Sequence, residues 1–325
     1  MKVIIPAAGT GTRLRPHTYT SPKTLLHVAG RSILAHLLDL LIQIPNLSEL
    51  IFIVGNLGNQ IREYVTANYD LPAIYIPQHE QKGLGHAISL AKAAASGEPL
   101  LIVNDDGILE VELQRIVQST HTVIGVKEVE NPKAFGIVET EGKFISRLIE
   151  KPENPSTNLA IAGMYYITDS DLLFRCLDEL IQRDIRTKNE YQLTDGLQLM
   201  LEFGEKMKVA KTNWLDCGTP DALLDTNRYL LEKQFQNYHF PNSVTIPPVF
   251  VAPDVTIEYS IIGPYTSIGG RARITNAIIK DSVINPGAEI QNVILNRSII
   301  GASARVNGNF HRLNIGGSSQ VQSLE

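Results

Sequence analysis

The sequence is poor in the features that mark several large classes of protein. Only two of its 325 residues are cysteines, Cys176 and Cys217, which is too few for a disulfide framework. We expect both to be buried structural thiols rather than reactive ones. Basic residues do not exceed acidic ones, with 29 Lys and Arg against 34 Asp and Glu. The composition therefore gives no indication of nucleic-acid binding.

Long apolar runs are also absent. No segment approaches the roughly twenty continuous apolar residues that a membrane-spanning helix needs, so we expect no membrane partner. The first apolar run, Val3–Ile5, is too short for a secretory signal peptide, and we expect a cytoplasmic protein. The length of 325 residues allows one large core plus a smaller unit, or two medium domains.

Small residues follow this first run, which itself predicts a buried strand. The backbone N–H groups of such a loop can form an anion-binding concavity, to which a following helix start would add its dipole. Arg13 and Lys23 bring positive charge to the same place, so the pattern predicts a polyphosphate site. A plain strand–helix turn with a surface arginine is the alternative. The loop consists of Ala8, Gly9, Thr10, Gly11 and Thr12.

Two common phosphate loops do not match this segment. The dinucleotide fingerprint needs a third glycine where this chain has Leu14, and an acidic residue about twenty positions later. The P-loop needs lysine and then serine or threonine after its last glycine, and here Gly11 is followed by Thr12-Arg13.

Apolar runs and amphipathic segments alternate up to about residue 235. This alternation predicts a doubly wound, Rossmann-like α/β fold, whose mostly parallel sheet carries helices on both faces. Its ligand should bind at the carboxyl ends of the strands, where the glycine loop falls. The predicted strands are Leu50–Val54, Ala73–Ile76, Leu100–Val103 and Thr122–Val126. The predicted helical segments are Ile33–Ile44, Gln60–Ala67, Ala87–Ala95 and Leu109–Gln118.

A different pattern begins near residue 250. Glycine and isolated Ile or Val recur at six-residue steps, as in Ile262-Gly263 and Ile268-Gly269, which predicts a parallel β-helix. Residues 251–306 suffice for about three coils of about eighteen residues each. A β-sandwich of short strands is the alternative. The predicted organisation is a catalytic domain at 1–235, a linker at 236–250, and a β-helix with a polar tail at 251–325.

The motif Gly9-Thr10-Gly11-Thr12-Arg13, with Ser21-Pro22-Lys23 after it, resembles the sugar-phosphate nucleotidylyltransferases. These enzymes join a nucleoside triphosphate to a sugar 1-phosphate and release pyrophosphate. The resemblance implies that Ala8 and the Gly9–Thr12 loop wrap the triphosphate, while Arg13 and Lys23 hold its phosphates. Long members of this family carry a short left-handed β-helix after the catalytic domain, and here that helix looks too short for acetyltransfer.

Two carboxylates are the predicted metal ligands. Asp106 follows the strand Leu100–Val103, and carboxylates together with phosphate oxygens are what Mg²⁺ prefers. The resemblance makes Asp106 one ligand and Asp216, within Trp214–Pro220, the other. Asp105 stands where the family has glycine, and it could tune the metal site or crowd it. An Asp-Gly turn without a metal is the alternative.

Further motifs concern the base and the sugar. The amide of Gln78 suits the imide edge of uracil or thymine, and the resemblance gives base reading to Gln78 and Gly83. His86 is expected to be a packing residue at a helix start. The resemblance assigns Lys151 to the sugar phosphate, where it would act in catalysis with Arg13 and Lys23. The remaining sugar-binding residues it implies are Gly136, Glu150, Gly163 and Tyr165.

Two functions remain open at this point. The first is an active nucleotidylyltransferase that uses dTTP or UTP and glucose 1-phosphate, by direct attack of the sugar phosphate on the α-phosphorus. The second is a regulatory subunit that senses a nucleotide or sugar without turnover, and Asp105 is the feature that favours it. In either case the β-helix favours a homo-oligomer.

Overall fold

The computed structural model describes residues 1–234 and 236–308, so the predicted polar tail 311–325 lies outside the described residues. The chain divides into two compact units, Met1–Thr226 and Asn227–Glu325. No helix in the described part of the chain is long and apolar enough to span a membrane.

Within the described residues, a mixed sheet of nine strands forms the centre of the first unit, and two further pairs of strands, β2 with β3 and β7 with β13, lie outside it. The order of the nine-stranded sheet is β10-β9-β11-β6-β1-β4-β5, and β8 and β12 continue from β11. The strands of the unit are β1 (Lys2–Ala7), β2 (His27–Val28), β3 (Arg31–Ser32), β4 (Glu49–Val54), β5 (Ala73–Pro77), β6 (Leu100–Val103), β7 (Gly107–Glu110), β8 (Thr122–Glu128), β9 (Gly136–Glu141), β10 (Phe144–Glu150), β11 (Leu159–Ile167), β12 (Met207–Lys211) and β13 (Asn213–Asp216).

Eight α-helices accompany the strands in the part of the chain that the structure describes, and the last of them includes residues of both units. They are α1 (Ile33–Leu41), α2 (Gly58–Asn68), α3 (Leu84–Ser89), α4 (Lys92–Ala95), α5 (Leu113–Ile116), α6 (Ser170–Gln182), α7 (Leu193–Glu202) and α8 (Pro220–Glu232). Short 3₁₀ turns lie at Thr12–Leu14, His17–Tyr19, Lys23–Leu25 and Pro132–Ala134.

Both faces of the sheet are covered, as a doubly wound fold requires. Ile4 belongs to the core on one side, with residues of α3, α6 and α7, whereas Val3 and Ile5 belong to the core on the other, with α1, α2 and α5. Burial of each aliphatic side chain of this kind contributes about 1.5–3 kcal/mol to the free energy of folding. The predicted Rossmann-like fold class is confirmed.

The direction of the central strands fixes where a ligand can bind. β6, β1, β4 and β5 run parallel, so their carboxyl ends meet at one edge of the sheet. β11 runs antiparallel to β6 and joins this group to β8 and β9. The loops after β1, β5 and β6 therefore come together at that edge.

The second unit is a left-handed parallel β-helix built from three four-stranded parallel sheets. Val244 pairs with Ile261, seventeen residues later, and Ile278 pairs with Ile294, sixteen residues later. Its strands are β14 (Val244–Thr245), β15 (Val249–Val251), β16 (Thr256–Glu258), β17 (Ile261–Ile262), β18 (Thr266–Ile268), β19 (Arg273–Thr275), β20 (Ile278–Lys280), β21 (Val283–Ile284), β22 (Glu289–Gln291), β23 (Ile294–Asn296), β24 (Ile299–Ile300) and β25 (Arg305–Asn307).

These twelve strands make four coils, one more than the three predicted for residues 251–306. The first coil begins at Val244, within the stretch 236–250 predicted as a linker, and each coil is shorter than predicted. Inward-facing Ile257, Ile274 and Ile290 pair in register and are buried, so they form one aliphatic column. The exact domain limits stay a prediction.

Candidate active site

The glycine loop follows β1 at the carboxyl edge of the sheet. Gly11 has φ 58°, and a Cβ at this position would lie 2.9 Å from Cγ2 of Thr18. Both observations exclude a side chain there. The carbonyl oxygen of Gly11 accepts hydrogen bonds from the Thr18 hydroxyl at 2.8 Å and the Leu14 N–H at 2.9 Å. The loop is thus held in a fixed shape.

The expected helix start after this loop does not form. The structure has a single 3₁₀ turn, Thr12–Leu14, after which Arg15 is extended with ψ 143°. Pro16 explains this ending, because the residue before a proline is driven away from helical geometry. A turn of three residues has little dipole, so the positive charge near the loop comes from the side chains of Arg13 and Lys23.

Lys23 lies beside two carboxylates. Its Nζ is 3.0 Å from Oδ1 of Asp105 and 3.8 Å from Oδ2 of Asp106. Burial alone would lower the pKa of Lys23, but the charges of Asp105 and Asp106 outweigh it and raise that pKa. A Cβ at Gly9 would lie 3.7 Å from the same Nζ. A charged ammonium is therefore fixed against the loop.

The two predicted metal ligands are neighbours in the structure. β7 pairs antiparallel with β13, which sets Gly107 opposite Asp216, and Cys217 N–H donates to the carbonyl of Asp106 at 3.0 Å. Gly107 has no room for a side chain, because a Cβ there would lie 2.5 Å from Cε2 and 2.7 Å from Cζ2 of the Trp214 ring. The backbones of two aspartates more than a hundred residues apart in sequence are thus brought next to each other.

Arg13 reaches the same place from the glycine loop. Its Nη2 would lie 2.8 Å from a Cβ at Gly218, and the Gly218 N–H donates to Oδ1 of Asp216 at 2.9 Å. The absence of a side chain at Gly218 therefore lets the guanidinium approach the Asp216 loop. Arg13, like Asp216, is exposed and free to meet a ligand.

The donor set fits a magnesium ion that is completed by a substrate. Asp106 keeps 38% of its side-chain surface exposed, and Asp216 is also exposed. Residues 1–234 and 236–308 contain no group of three or more His, Cys, Asp or Glu suited to hold a metal. Mg²⁺ is typically bound by one or two carboxylates plus phosphate oxygens, so two protein ligands match it.

Two cavities of 440 and 460 Å³ flank the glycine loop. Both are bordered by residues after β1 and β5 and by Lys23, and only the second reaches the carboxylates after β6. The residues common to both walls are Ala8, Gly9, Lys23, Gln78 and Gln81. The second cavity adds, from the predicted set, Arg13, Gly83 and Asp106. The structure therefore brings most of the predicted nucleotide-binding residues to one place.

Gln78 and Gly83 have additional structural partners. The Nε2 of Gln78 lies 3.1 Å from Nδ1 of His86, which sits in the first turn of α3. Gly83 has φ 109°, and a Cβ there would lie 2.6 Å from the carbonyl oxygen of Tyr191. The backbone of Gly83 is therefore packed against the chain at Tyr191, and base reading by Gln78 and Gly83 stays a prediction.

The predicted sugar residues form a second polar group. Gly136 pairs with Glu150 between β9 and β10, and a Cβ at Gly136 would lie 2.9 Å from Oε2 of Glu150. The Thr194 hydroxyl donates to that same oxygen at 2.7 Å, and Nζ of Lys151 lies 3.2 Å from Oε1. Glu150 is thus held from two sides, although neither it nor Lys151 lines the two cavities.

Gly163 and Tyr165 lie on β11. Gly163 has φ 63°, and its carbonyl accepts a hydrogen bond from the Asn104 N–H at 2.8 Å. Tyr165 is only 4% exposed; burial first, and then the charges of Glu150 and Asp106, raise its pKa. Contact of these residues with a sugar stays a prediction.

Several residues of the site were not identified from the sequence. The Gln81 amide donates to the Ala8 carbonyl at 2.8 Å and so ties the Gly83 segment to the glycine loop. In the sequence, the position of Gln81 two residues before Gly83 was the signal that it belongs to the site. Glu190 lines the second cavity, and Thr194 holds Glu150. Their contacts depend on chain positions far apart, which no local pattern shows.

Comparison with known proteins gives several relatives. The chain is 29% identical over 371 residues to the low-salt glycan biosynthesis nucleotidyltransferase Agl11 of Haloferax volcanii, covering 99% of this chain and all of that protein. It is 26% identical to a glucose-1-phosphate thymidylyltransferase of Streptomyces antibioticus, with 99% of both chains covered. It is 34% identical to the bifunctional protein GlmU of Methanocaldococcus jannaschii over 72% of this chain, which spans only 55% of GlmU.

Solved structures agree in fold. A UDP-glucose pyrophosphorylase in complex with UDP-glucose superposes with a TM-score of 0.63 at 23% identity, over 72% of this chain and 99% of that one. At this identity the likeness concerns the fold alone. A family model described as nucleotidyl transferase matches residues 2–233, which include every predicted site residue. The chain belongs to the nucleotidyl transferase family.

Proposed function

We propose that this protein transfers a nucleotidyl group from a nucleoside triphosphate to a sugar 1-phosphate, making a nucleotide sugar and pyrophosphate. One observation carries the proposal: beside a glycine loop that borders two cavities, Lys23 pairs with Asp106, and Arg13 approaches the Asp216 loop at Gly218. Such a group can bind a triphosphate and stabilise charge that builds up on it.

The reaction needs little covalent work from side chains. A sugar phosphate oxygen attacks the α-phosphorus, the bond to the bridging oxygen breaks, and pyrophosphate leaves with both bonding electrons. No general base is required, because a phosphate nucleophile is already ionised at neutral pH. Lys23 and Arg13 stabilise the triphosphate charge, and Lys151 positions the attacking phosphate. Mg²⁺, held by Asp106 and Asp216, would supply further charge neutralisation on the phosphates.

For the base we propose uracil or thymine, hence UTP or dTTP. The amide of Gln78 lies on the wall of both cavities and can both donate to and accept from an imide edge. Glucose 1-phosphate is the proposed sugar substrate. The relative from Streptomyces antibioticus, named a glucose-1-phosphate thymidylyltransferase, supports both choices. With such substrates we place the activity in the cytoplasm, where triphosphates are made.

The second candidate is a non-catalytic subunit of the same fold that senses a nucleotide or a sugar. The observation that favours it is the Asp105 carboxylate, which reduces the net positive charge next to the glycine loop. The presence of Lys23, Arg13, Asp106, Lys151 and Asp216 favours turnover instead. A homo-oligomer is proposed for either function.

The test is pyrophosphate release with Mg²⁺ and a panel of UTP, dTTP, CTP, ATP and GTP against several hexose 1-phosphates. We expect turnover with UTP or dTTP and glucose 1-phosphate, abolished by omission of the sugar phosphate. Binding of a nucleotide with no turnover for any pair would favour the sensing subunit. Turnover with purine triphosphates alone would contradict the proposed base.

A further inference from the structure

Asp105 has a position that differs from that of its neighbour Asp106. The Asp105 side chain is 3% exposed, and its Oδ1 lies 3.0 Å from Nζ of Lys23. The Asp106 side chain is 38% exposed, and its oxygen is 3.8 Å from the same nitrogen. Asp105 is therefore paired inside the protein, whereas Asp106 still presents a carboxylate to a ligand.

The Lys23 side chain needs such a partner to stay in one place. Lysine is a point charge on a flexible four-carbon stem, so by itself it samples many rotamers. Its Nζ is held between the glycine loop, 3.7 Å from a Cβ position at Gly9, and the Asp105 carboxylate. A partly buried ammonium with no counter-charge would be costly, and the Asp105 carboxylate offsets part of that cost.

We propose that Asp105 is a positioning residue, which holds the Lys23 ammonium against the glycine loop where the α-phosphate reacts. A fixed cation acts without reorganisation when charge develops, so this contact contributes to the transfer step more than to substrate binding. The inference rests on the proposed function, since it assigns Lys23 to the reacting phosphate. It also gives Asp105 a role apart from the metal ligands.

A double-mutant cycle tests this role. Asp105→Ala, Asp105→Asn, Lys23→Ala and the double variant Asp105→Ala/Lys23→Ala are assayed at saturating Mg²⁺ and sugar phosphate. We expect Asp105→Ala to lower kcat about tenfold to a hundredfold while the KM for the triphosphate stays within about threefold. Asp105→Asn keeps an oxygen that Lys23 can donate to, and should recover most of that loss. In the Lys23→Ala background, Asp105→Ala should change kcat less than about twofold.

Asp281→Asn is the matched control, because Asp281 is also buried and pairs with Arg228 at 2.8 Å. It should leave kcat unchanged. An equal loss of kcat for Asp105→Ala with and without Lys23 would overturn the proposal. So would a loss that is restored when Mg²⁺ is raised above the concentration that saturates the wild-type protein, which would make Asp105 a metal ligand.

Failure of the proposed function would look different. In that case the wild-type protein would turn over no substrate pair, and the same four variants would be compared by calorimetric titration with UTP and dTTP. Non-additive effects of the two substitutions on nucleotide affinity would then support the pairing role of Asp105. Additive effects would overturn it.

Discussion

Each unit of the chain buries an aspartate beside a cation. Asp105 in the first unit lies 3.0 Å from Lys23, and Asp281 in the second lies 2.8 Å from Arg228. Their exposures are also close, at 3% and 9% of the side chain. The surroundings differ, since the first pair borders a cavity of 460 Å³ and the second lies at the turn between β20 and β21.

A buried ion pair alone therefore says little about function. In the β-helix, positions repeat from coil to coil, and Asn276 donates to Asn292 of the next coil as Asn292 does to Asn307. The polar side chains of this asparagine series therefore connect successive coils by hydrogen bonds. At the sheet edge of the first unit the chain is irregular, and charges remain beside open space. The cavity next to the pair, rather than the pair, indicates a site.

The largest effect is expected at the proposed metal ligands of the first unit. Asp106→Asn and Asp216→Asn should each lower kcat by about a hundredfold or more, because each removes a ligand charge from a cation worth several kcal/mol to phosphate transfer. Steady-state pyrophosphate release at saturating Mg²⁺ measures this. Both side chains are exposed, so the thermal midpoint should stay within a few degrees of wild type. Near-normal turnover in either variant would refute the paired site.

A second prediction separates the two lysines of the first unit. Lys151→Ala should chiefly raise the KM for the sugar phosphate, whereas Lys23→Ala should chiefly lower kcat. Each loses a charge-assisted contact worth about 1.5–3 kcal/mol, or roughly tenfold to a hundredfold. Initial rates over a matrix of both substrate concentrations provide the measurement. A weaker triphosphate affinity alone in Lys151→Ala would mean that the sugar phosphate binds elsewhere.

Much of the fold could be predicted because its strands are apolar and short. The run Leu100–Val103 became β6 with the same limits, since all four side chains are buried. The local pattern predicted the wrong element where pairing with a distant segment of the chain determines the structure. Leu109–Gln118 was predicted as helical, yet Leu109 lies in β7, because β7 pairs with β13. The segment Ala87–Ala95 is likewise divided between α3 and α4.

The sequence motifs of the site could be predicted, whereas the contacts between its distant residues could not. The glycine loop and the Asp106 and Asp216 motifs are local patterns, and the structure brings them together. The pairing of Lys23 with Asp105 spans more than eighty residues of sequence, so the departure at Asp105 could not be interpreted from sequence. Pro16 ended the expected helix after the loop, although the proline was visible in the sequence.

A third prediction concerns the ion pair of the second unit. Asp281→Ala should lower the free energy of unfolding of the β-helix by about 1–2 kcal/mol, less than the 3–5 kcal/mol of a fully buried pair, because its partners Arg228 and Arg297 are 42% and 41% exposed. Urea unfolding followed by circular dichroism measures the change. Turnover should stay within about twofold of wild type, the typical effect of a substitution away from a site. A loss of kcat with unchanged stability would instead connect this pair to the chemistry.

The smallest effect on turnover is expected from removal of the whole β-helix. A chain that ends at Tyr238 keeps α8, the matched residues 2–233 and every proposed site residue, so kcat per active site should stay within about twofold. It loses the four coils and their aliphatic column. The unpaired backbone groups at the end of a coil stack are able to pair with another chain. We therefore expect a smaller oligomer or lower solubility, measured by light scattering alongside activity.

The matched control is a chain that ends at Gly308, which keeps all four coils and should keep the wild-type size. An unchanged oligomer in the chain ending at Tyr238 would rule out an assembly role for the β-helix. Turnover lost in a truncated chain that circular dichroism shows to be folded would have a different meaning. The second unit would then complete the site, and the assignment of all catalytic residues to the first unit would be wrong.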